Sequence, residues 1–490
     1  MMKFKHMALA TSIGMLMSIS ATSYAEIGLT SLSDDEMAAE TGQALFNMSY
    51  IAPNDTGNTR NGNVGFYKLG LEAEMELNAN IRNLQLGCGG TNGAGACDID
   101  IKNLSLSGLP DSYDANGNPV YNNGRPSTSA KLTNPFMEFA IKNPETASTR
   151  EVVGFRASAE KITGLLTAGL LNSATPSSTD GIQSLSGFMR IAATTGDVTT
   201  QATKFGKGAA NQAISGLIDI ALFGNRGITS LPSNSKTTGI TVPSMSNVEF
   251  NLPAFQVNGQ RQTKAVANNV TTKIGEIPLA AGNPNYAASM FANDQLQVAV
   301  DPCVKIIVCI VDEATFKMGT GSKITNLNMN ITFEQALSMI HNIPLTGTGG
   351  YLSLQQQALL WPGAYVDAAD NSKTNITQMT QSDVAQKGWW MSFAEPVQLG
   401  YLQASNEVDI SSVLPQVAAL ITQDLMKEEN RIYVDFGEAL GAVANNPITK
   451  QIIIDLNDYT LANPARITLE NQQLKNQEVR PNCYGGLTFC

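Results

Sequence analysis

Histidine is almost missing from this chain. Of its two histidines, His6 falls in a leader-like N-terminus, so only His341 is left for chemistry. That argues against Ser-His-Asp and Cys-His nucleophile systems and against His-rich zinc sites. His341 follows the apolar run Ala336–Ile340 and is expected to be structural. No G-x-S-x-G and no Walker loop occurs, and Gly347-Thr-Gly-Gly lacks the rest of a dinucleotide fingerprint. Gly206-Lys207 has neither the spacing nor the Ser/Thr of a P-loop. Acids are numerous, but nothing in the sequence singles out a catalytic pair. The expectation is a protein that is not an enzyme and carries no cofactor or metal.

Positive charge is also sparse. The formal net charge is −11 and there is no dense Lys/Arg run, so nucleic acid is not an expected partner. The most apolar stretch after the leader, Ala213 to Phe223, is too short to span a bilayer and contains Asp219. No transmembrane helix is expected. An outer-membrane barrel is disfavoured by the shortage of aromatic residues for interface girdles and by segments with helical spacing. Charged residues are replaced on solvated faces by Asn, Thr, Ser, Gln and Gly, a composition common in extracellular β proteins.

What the chain does have begins at its N-terminus. Lys3 and Lys5, the apolar stretch from Met7 to Ile19 and Ser23-Tyr24-Ala25 make a secretory signal peptide over residues 1–25. The six cysteines fit an oxidising compartment. They fall in three close pairs, Cys88 with Cys97, Cys303 with Cys309 and Cys483 with Cys490. Three disulfides and no free thiol are expected. The middle pair requires a turn, because a straight strand would hold its Cα atoms about 20 Å apart. Otherwise those two cysteines pair elsewhere.

Residues 32–42 read as a short helix with a capping box, Ser33 and Glu36. From Leu69 to Ile81 apolar and polar residues alternate strictly, which predicts a strand with one covered and one wet face. The phase changes at Asn83, where a bulge is expected. Ile81-Arg-Asn-Leu, Ile101-Lys-Asn-Leu and Ile324-Thr-Asn-Leu repeat one pattern. Further strands are expected at Phe136–Lys142, Glu151–Ala157, Asn247–Leu252, Arg431–Phe436, Gln451–Leu456 and Arg466–Glu470. Helices are expected over Ala157–Leu171, around Ile214–Leu222 and through Val413, Val417, Ile421 and Leu425. The segments 172–180 and 224–247 look like loops. Asp114-Ala-Asn116-Gly-Asn118 has calcium-loop spacing, but Ser112 and Asn123 occupy the outer ligand positions, so a turn at Asn116-Gly117 is the better reading. The expected fold is mainly β with a few packed helices, built on a large antiparallel or mixed sheet. It is divided into lobes at 26–240 and 241–490, or forms one domain.

Trp361, Trp389 and Trp390 are the only tryptophans and sit close together in sequence. They form either a core cluster or, in the alternative, an aromatic face for a small apolar or sugar ligand. Four segments carry a resemblance: Leu32-Ser-Asp-Asp-Glu-Met-Ala-Ala-Glu-Thr-Gly-Gln43, Asn134-Pro-Phe-Met-Glu-Phe-Ala-Ile-Lys-Asn-Pro144, Gly388-Trp-Trp-Met-Ser-Phe-Ala-Glu-Pro-Val-Gln-Leu-Gly400 and Asn482-Cys-Tyr-Gly-Gly-Leu-Thr-Phe-Cys490. Together they resemble the exported Fil-type pilus-system surface proteins of Gram-negative bacteria. The resemblance implies a structural or adhesive role at the cell surface, pilus or outer membrane, with the periplasm as the alternative location. It implies other pilus or surface-system proteins as partners, with a host or surface glycan as a further candidate.

Overall fold

The computed structural model describes residues 46–305, 309–348, 350–460 and 462–483. The leader, the expected 32–42 helix and Cys490 lie outside them. The chain is mostly β, as expected, with a few packed helices. Its largest sheet has twelve strands. Along its path run Phe46–Ile51, Val64–Leu71, Ala130–Lys142, Glu151–Ala168, Tyr351–Gln355, Gly388–Val397, Gly181–Ile191, Ile99–Ser107 and Ala79–Leu86. Pairing is antiparallel except between Gly181–Ile191 and Gly388–Val397. Strands from both sides of residue 240 therefore share one sheet, the two later ones on this path inserted between earlier ones.

The path also closes on itself. Leu104–Ser107 pair with Leu165–Ala168 at the far end of the long Glu151–Ala168 strand. Five strands thereby form a ring of hydrogen-bonded neighbours. Its apolar side chains, among them Ile99, Leu166, Leu185, Met189 and Phe393, share a core with the strands Lys264–Pro278 and Lys323–Ala336 of a second sheet. A six-stranded sheet containing the hairpins Ser215–Ile220/Gly224–Ser230 and Leu296–Lys305/Cys309–Met318 has its own core around Ile218, Val298 and Phe316.

The helix Leu414–Leu425 forms where 3.6-residue spacing predicts it. Val417, Ile421 and Leu425 bury against Ile274, Leu327 and Ile454, each contributing roughly 1.5–3 kcal/mol by area removed from water. Two expected helices are strands instead. Ala157–Leu171 falls largely in the strand Glu151–Ala168. Neighbours on both edges and cover on both faces bury Leu165 and Leu166 alike, so a buried strand shows an apolar run and not alternation. Around Ile214–Leu222, the segment Ser215–Ile220 is a strand burying Ile218 and Ile220. It turns through Leu222 at φ 70° into Gly224–Ser230. The stretch 224–247, expected as loop, contains that partner strand and Ile240–Val242. The loop at 172–180 has no helix or strand.

The bulge expected at Asn83 does not form. The register across Asn83 runs unbroken, with Ile81 opposite Leu104 and Leu84 opposite Ile101. In the other two copies of the pattern the asparagine is left-handed, Asn103 at φ 55° and Asn326 at φ 57°, whereas Asn83 is not among the positive-φ residues. Asn tolerates this left-handed conformation better than other residues with a side chain. One such residue turns the next side chain to the other face without shifting the ladder.

Candidate functional site

The segment expected as one strand from Leu69 to Ile81 is broken into Val64–Leu71, Glu74–Leu77 and Ala79–Leu86. The first two lie beside Ala130–Lys142 and the third at the far edge of the sheet. The segment's apolar residues lack the expected cover among the described residues. Leu69, Met75, Leu77 and Ile81 are all exposed. Residues paired across a sheet point to the same side, and here they form two rows across five strands. One row runs Tyr50, Tyr67, Phe139, Phe155, Leu354. The other runs Met48, Leu69, Met137, Ala157, Leu352. The Tyr50 and Tyr67 rings stack at 4.3 Å, and Phe139 and Phe155 lie 5.4 Å apart. Four inter-strand spacings make the rows roughly 19 Å long. Contiguous exposed apolar surface of this kind marks interaction sites.

The rows end at Phe46–Ile51, the outermost strand among the described residues, whose Phe46 and Met48 are 60% and 79% exposed. Its sequence, FNMSYI, contains no Lys, Pro or other charge, the residues that normally protect a free edge from pairing. The opposite edge, Ala79–Leu86, is handled differently. The Asn80 amide donates to the Asn482 carbonyl (2.7 Å), and the Asn482 amide donates to Asn78 and Asn80 (2.9 and 3.1 Å).

The other side of the same strands is closed. Trp361 and Trp390 are 1% and 0% exposed and pack with Phe66, Phe188 and Tyr351 beneath the segment 356–387. Trp389 is half-buried against the main core. The cluster contains a buried polar set. Asp383 accepts hydrogen bonds from Trp390 Nε1 (2.8 Å) and the Ser392 hydroxyl (2.5 Å). Burial pushes its carboxyl up to about 6, against the lowering effect of those bonds. Arg156 pairs with Glu138 (2.5 Å), donates to the Pro362 carbonyl (2.9 Å) and lies over the Trp361 and Tyr351 rings. Burial raises Glu138 above the usual carboxylate range despite the nearby Arg156.

Trp389 is positioned from the disulfide loop. Cys88 and Cys97 are bonded, and Asp98 next to them accepts from the Trp389 backbone N–H (3.0 Å) and from Asn92 (2.9 Å). Gly388, at φ 106°, makes the approach feasible, since a Cβ there would meet Asp98 Oδ2 at 2.5 Å. Cys303 and Cys483 are disulfide-bonded too, and no described cysteine is free. The chain does turn between Cys303 and Cys309, where Lys305 pairs with Cys309.

His341 is buried, its Nδ1 bonded to the Ala168 carbonyl (2.7 Å), and burial lowers its pKa, which favours a neutral bridge between strands. Asp114 closes a turn, accepting from the Asn116 and Asn118 backbone N–H groups (2.8 and 2.9 Å) between Ser112–Tyr113 and Pro119–Val120. No cluster of metal-ligating side chains occurs among the described residues. None of their helices is long and apolar enough to cross a membrane.

Nothing in the sequence marks Asp383, since a lone charged residue in a polar segment carries no pattern. Sequence reasoning located the apolar alternation but expected that face to be covered. Comparison with protein families, characterised proteins and solved structures finds no match.

Proposed function

We propose that this chain is a non-enzymatic structural or adhesive component of a pilus-like cell-surface system, exported and held among other surface-system proteins. One observation carries the reading: the exposed apolar residues of the two rows, Met48, Tyr50, Tyr67, Leu69, Met137, Phe139 and Leu354, reach a strand that is a free edge among the described residues. A soluble monomer leaves such a surface at the risk of aggregation, whereas a subunit can bury it against a neighbour. Export supports the same reading through the leader at 1–25 and the Cys88–Cys97 disulfide, as does the resemblance to Fil-type pilus proteins.

The test replaces the chromosomal copy with Met48→Lys/Leu69→Lys, two exposed positions in one row. Fibre number by electron microscopy and cell attachment should fall toward the level of a deletion, with secreted protein still folded. Normal fibres and normal attachment in the deletion strain itself would remove the proposal.

A further inference from the structure

A second surface, polar where the first is apolar, lies along the seam between two sheets. Val248–Leu252 is the outer strand of one sheet and Lys264–Pro278 the outer strand of its neighbour. Where they approach, the Thr272 hydroxyl donates to the Glu249 carbonyl (2.5 Å). Three open clefts of about 760, 570 and 800 Å³ follow the seam. The first two share Asn251 and Thr271, and the last two share Pro253. From Val266 to Glu276 the groove follows one strand for roughly 33 Å.

Its lining sets neutral hydrogen-bonding side chains among apolar ones such as Leu252, Pro253 and Phe255. Thr195, Asn251, Asn268, Thr271, Gln381 and Gln398 project side chains with no partner among the described residues. Gln256 Oε1, in the wall of the third cleft, is buried without a partner. The charges present are already engaged or balanced. Glu276 pairs with Lys323 (2.8 Å), Arg190 stacks on the Tyr365 ring (4.4 Å), and Glu249 lines the same cleft as Lys273.

This chemistry selects among ligands. An acidic polymer would need a row of free cations. A peptide adding as a strand needs an open backbone edge, and the Thr272 side chain occupies that edge at Glu249. Side-chain amides and hydroxyls, each able to donate and accept, match a ligand that presents hydroxyls along its length. We infer that the seam between these strands binds a neutral, linear oligosaccharide through Asn251, Thr271 and the amides on either side. The inference stands on a different face from the apolar rows and goes beyond the assembly reading.

The experiment titrates the full chain, without its leader, by calorimetry with malto-, cello-, chito- and xylohexaose and with the matching monosaccharides. At least one hexaose should bind, its monosaccharide at least about tenfold more weakly. Asn251→Trp and Thr271→Trp, both at exposed positions, should fill the groove and weaken that binding about tenfold or more, with unchanged thermal melting. Failure of all four hexaoses to bind overturns the inference, as does binding that survives both substitutions. Selective binding of an extended neutral peptide in place of any sugar also overturns it. Fibre assembly is not read in this experiment, so the two proposals fail separately.

Discussion

Asp383 shows how a residue silent in the sequence governs a core. Its carboxyl titrates near 6 in the folded protein because burial penalises the charge, and near the ordinary value of about 3.9 when unfolded. Between those values the folded state holds a proton that the unfolded state lacks. The stabilising contribution is therefore complete below about pH 4 and declines as pH rises through 6. Asp383→Asn should remove this dependence, so that its stability relative to the parent grows from pH 4.5 to 8 by an amount on the order of 2–3 kcal/mol. Urea melts of both proteins across that range check the sign. The comparison cancels Glu138 and His341, whose shifts act in opposite directions. Arg125 is a second case. It is buried, and its guanidinium donates to the Ser107 hydroxyl (2.8 Å), the Thr167 hydroxyl (2.6 Å), and the Leu165 and Arg480 carbonyls (3.1 and 2.9 Å). Arg125→Ala strands those acceptors and should cost about 3–5 kcal/mol, read as a lower urea midpoint.

Among the elements, those with a strong local period were readable. Leu414–Leu425 and the strands near 136–142, 248–252 and 465–470 fall where spacing puts them. The strand buried on both faces at Leu165-Leu166 was not, because it carries no alternation that separates it from helix, and Ser215–Ile220, which buries alternate residues, is disguised by Leu217 beside Ile218. The αL asparagines were visible only as a change of phase, since Asn in sequence does not announce its φ. The hairpin between Ala79–Leu86 and Ile99–Ser107 was readable in its second strand and its bond, while the first strand, expected to run on from Leu69, is broken before Ala79. Cys88→Ser/Cys97→Ser should lower stability by roughly 2–3 kcal/mol in the chain-entropy account. The loss should appear first as faster amide exchange at residues 84–101, before the core opens. Thiol titration of the denatured, unreduced protein should find no free cysteine.

At the scale of the whole molecule, pairing between distant segments was out of reach of local pattern. Nothing around Gly388-Trp-Trp shows that this segment pairs with Gly187–Met189, some two hundred positions earlier. The arrangement predicts the behaviour of fragments. Chains ending at residue 240 lack Tyr351–Gln355 and Gly388–Val397, the two strands that separate Glu151–Ala168 from Gly181–Ile191. Separately expressed 26–240 and 241–490 should be digested quickly by protease, while the intact chain resists. A stable, dispersed near-ultraviolet signal from either half would contradict this.

The ring has a consequence in time. Leu104–Ser107 and Leu165–Ala168 meet early in the chain and hold the two flanks of the sheet together at one end. The strands that fill the opening are made much later. At roughly 5–20 residues per second, the 182 residues between Ala168 and Tyr351 take about 10–40 s to appear. Until then the nascent polypeptide is a clasp with its mouth open, and its last strands must enter between two that already wait. Such a chain completes its ring only when Tyr351–Gln355 and Gly388–Val397 have been made, so the closing step of the largest sheet belongs to the last third of synthesis.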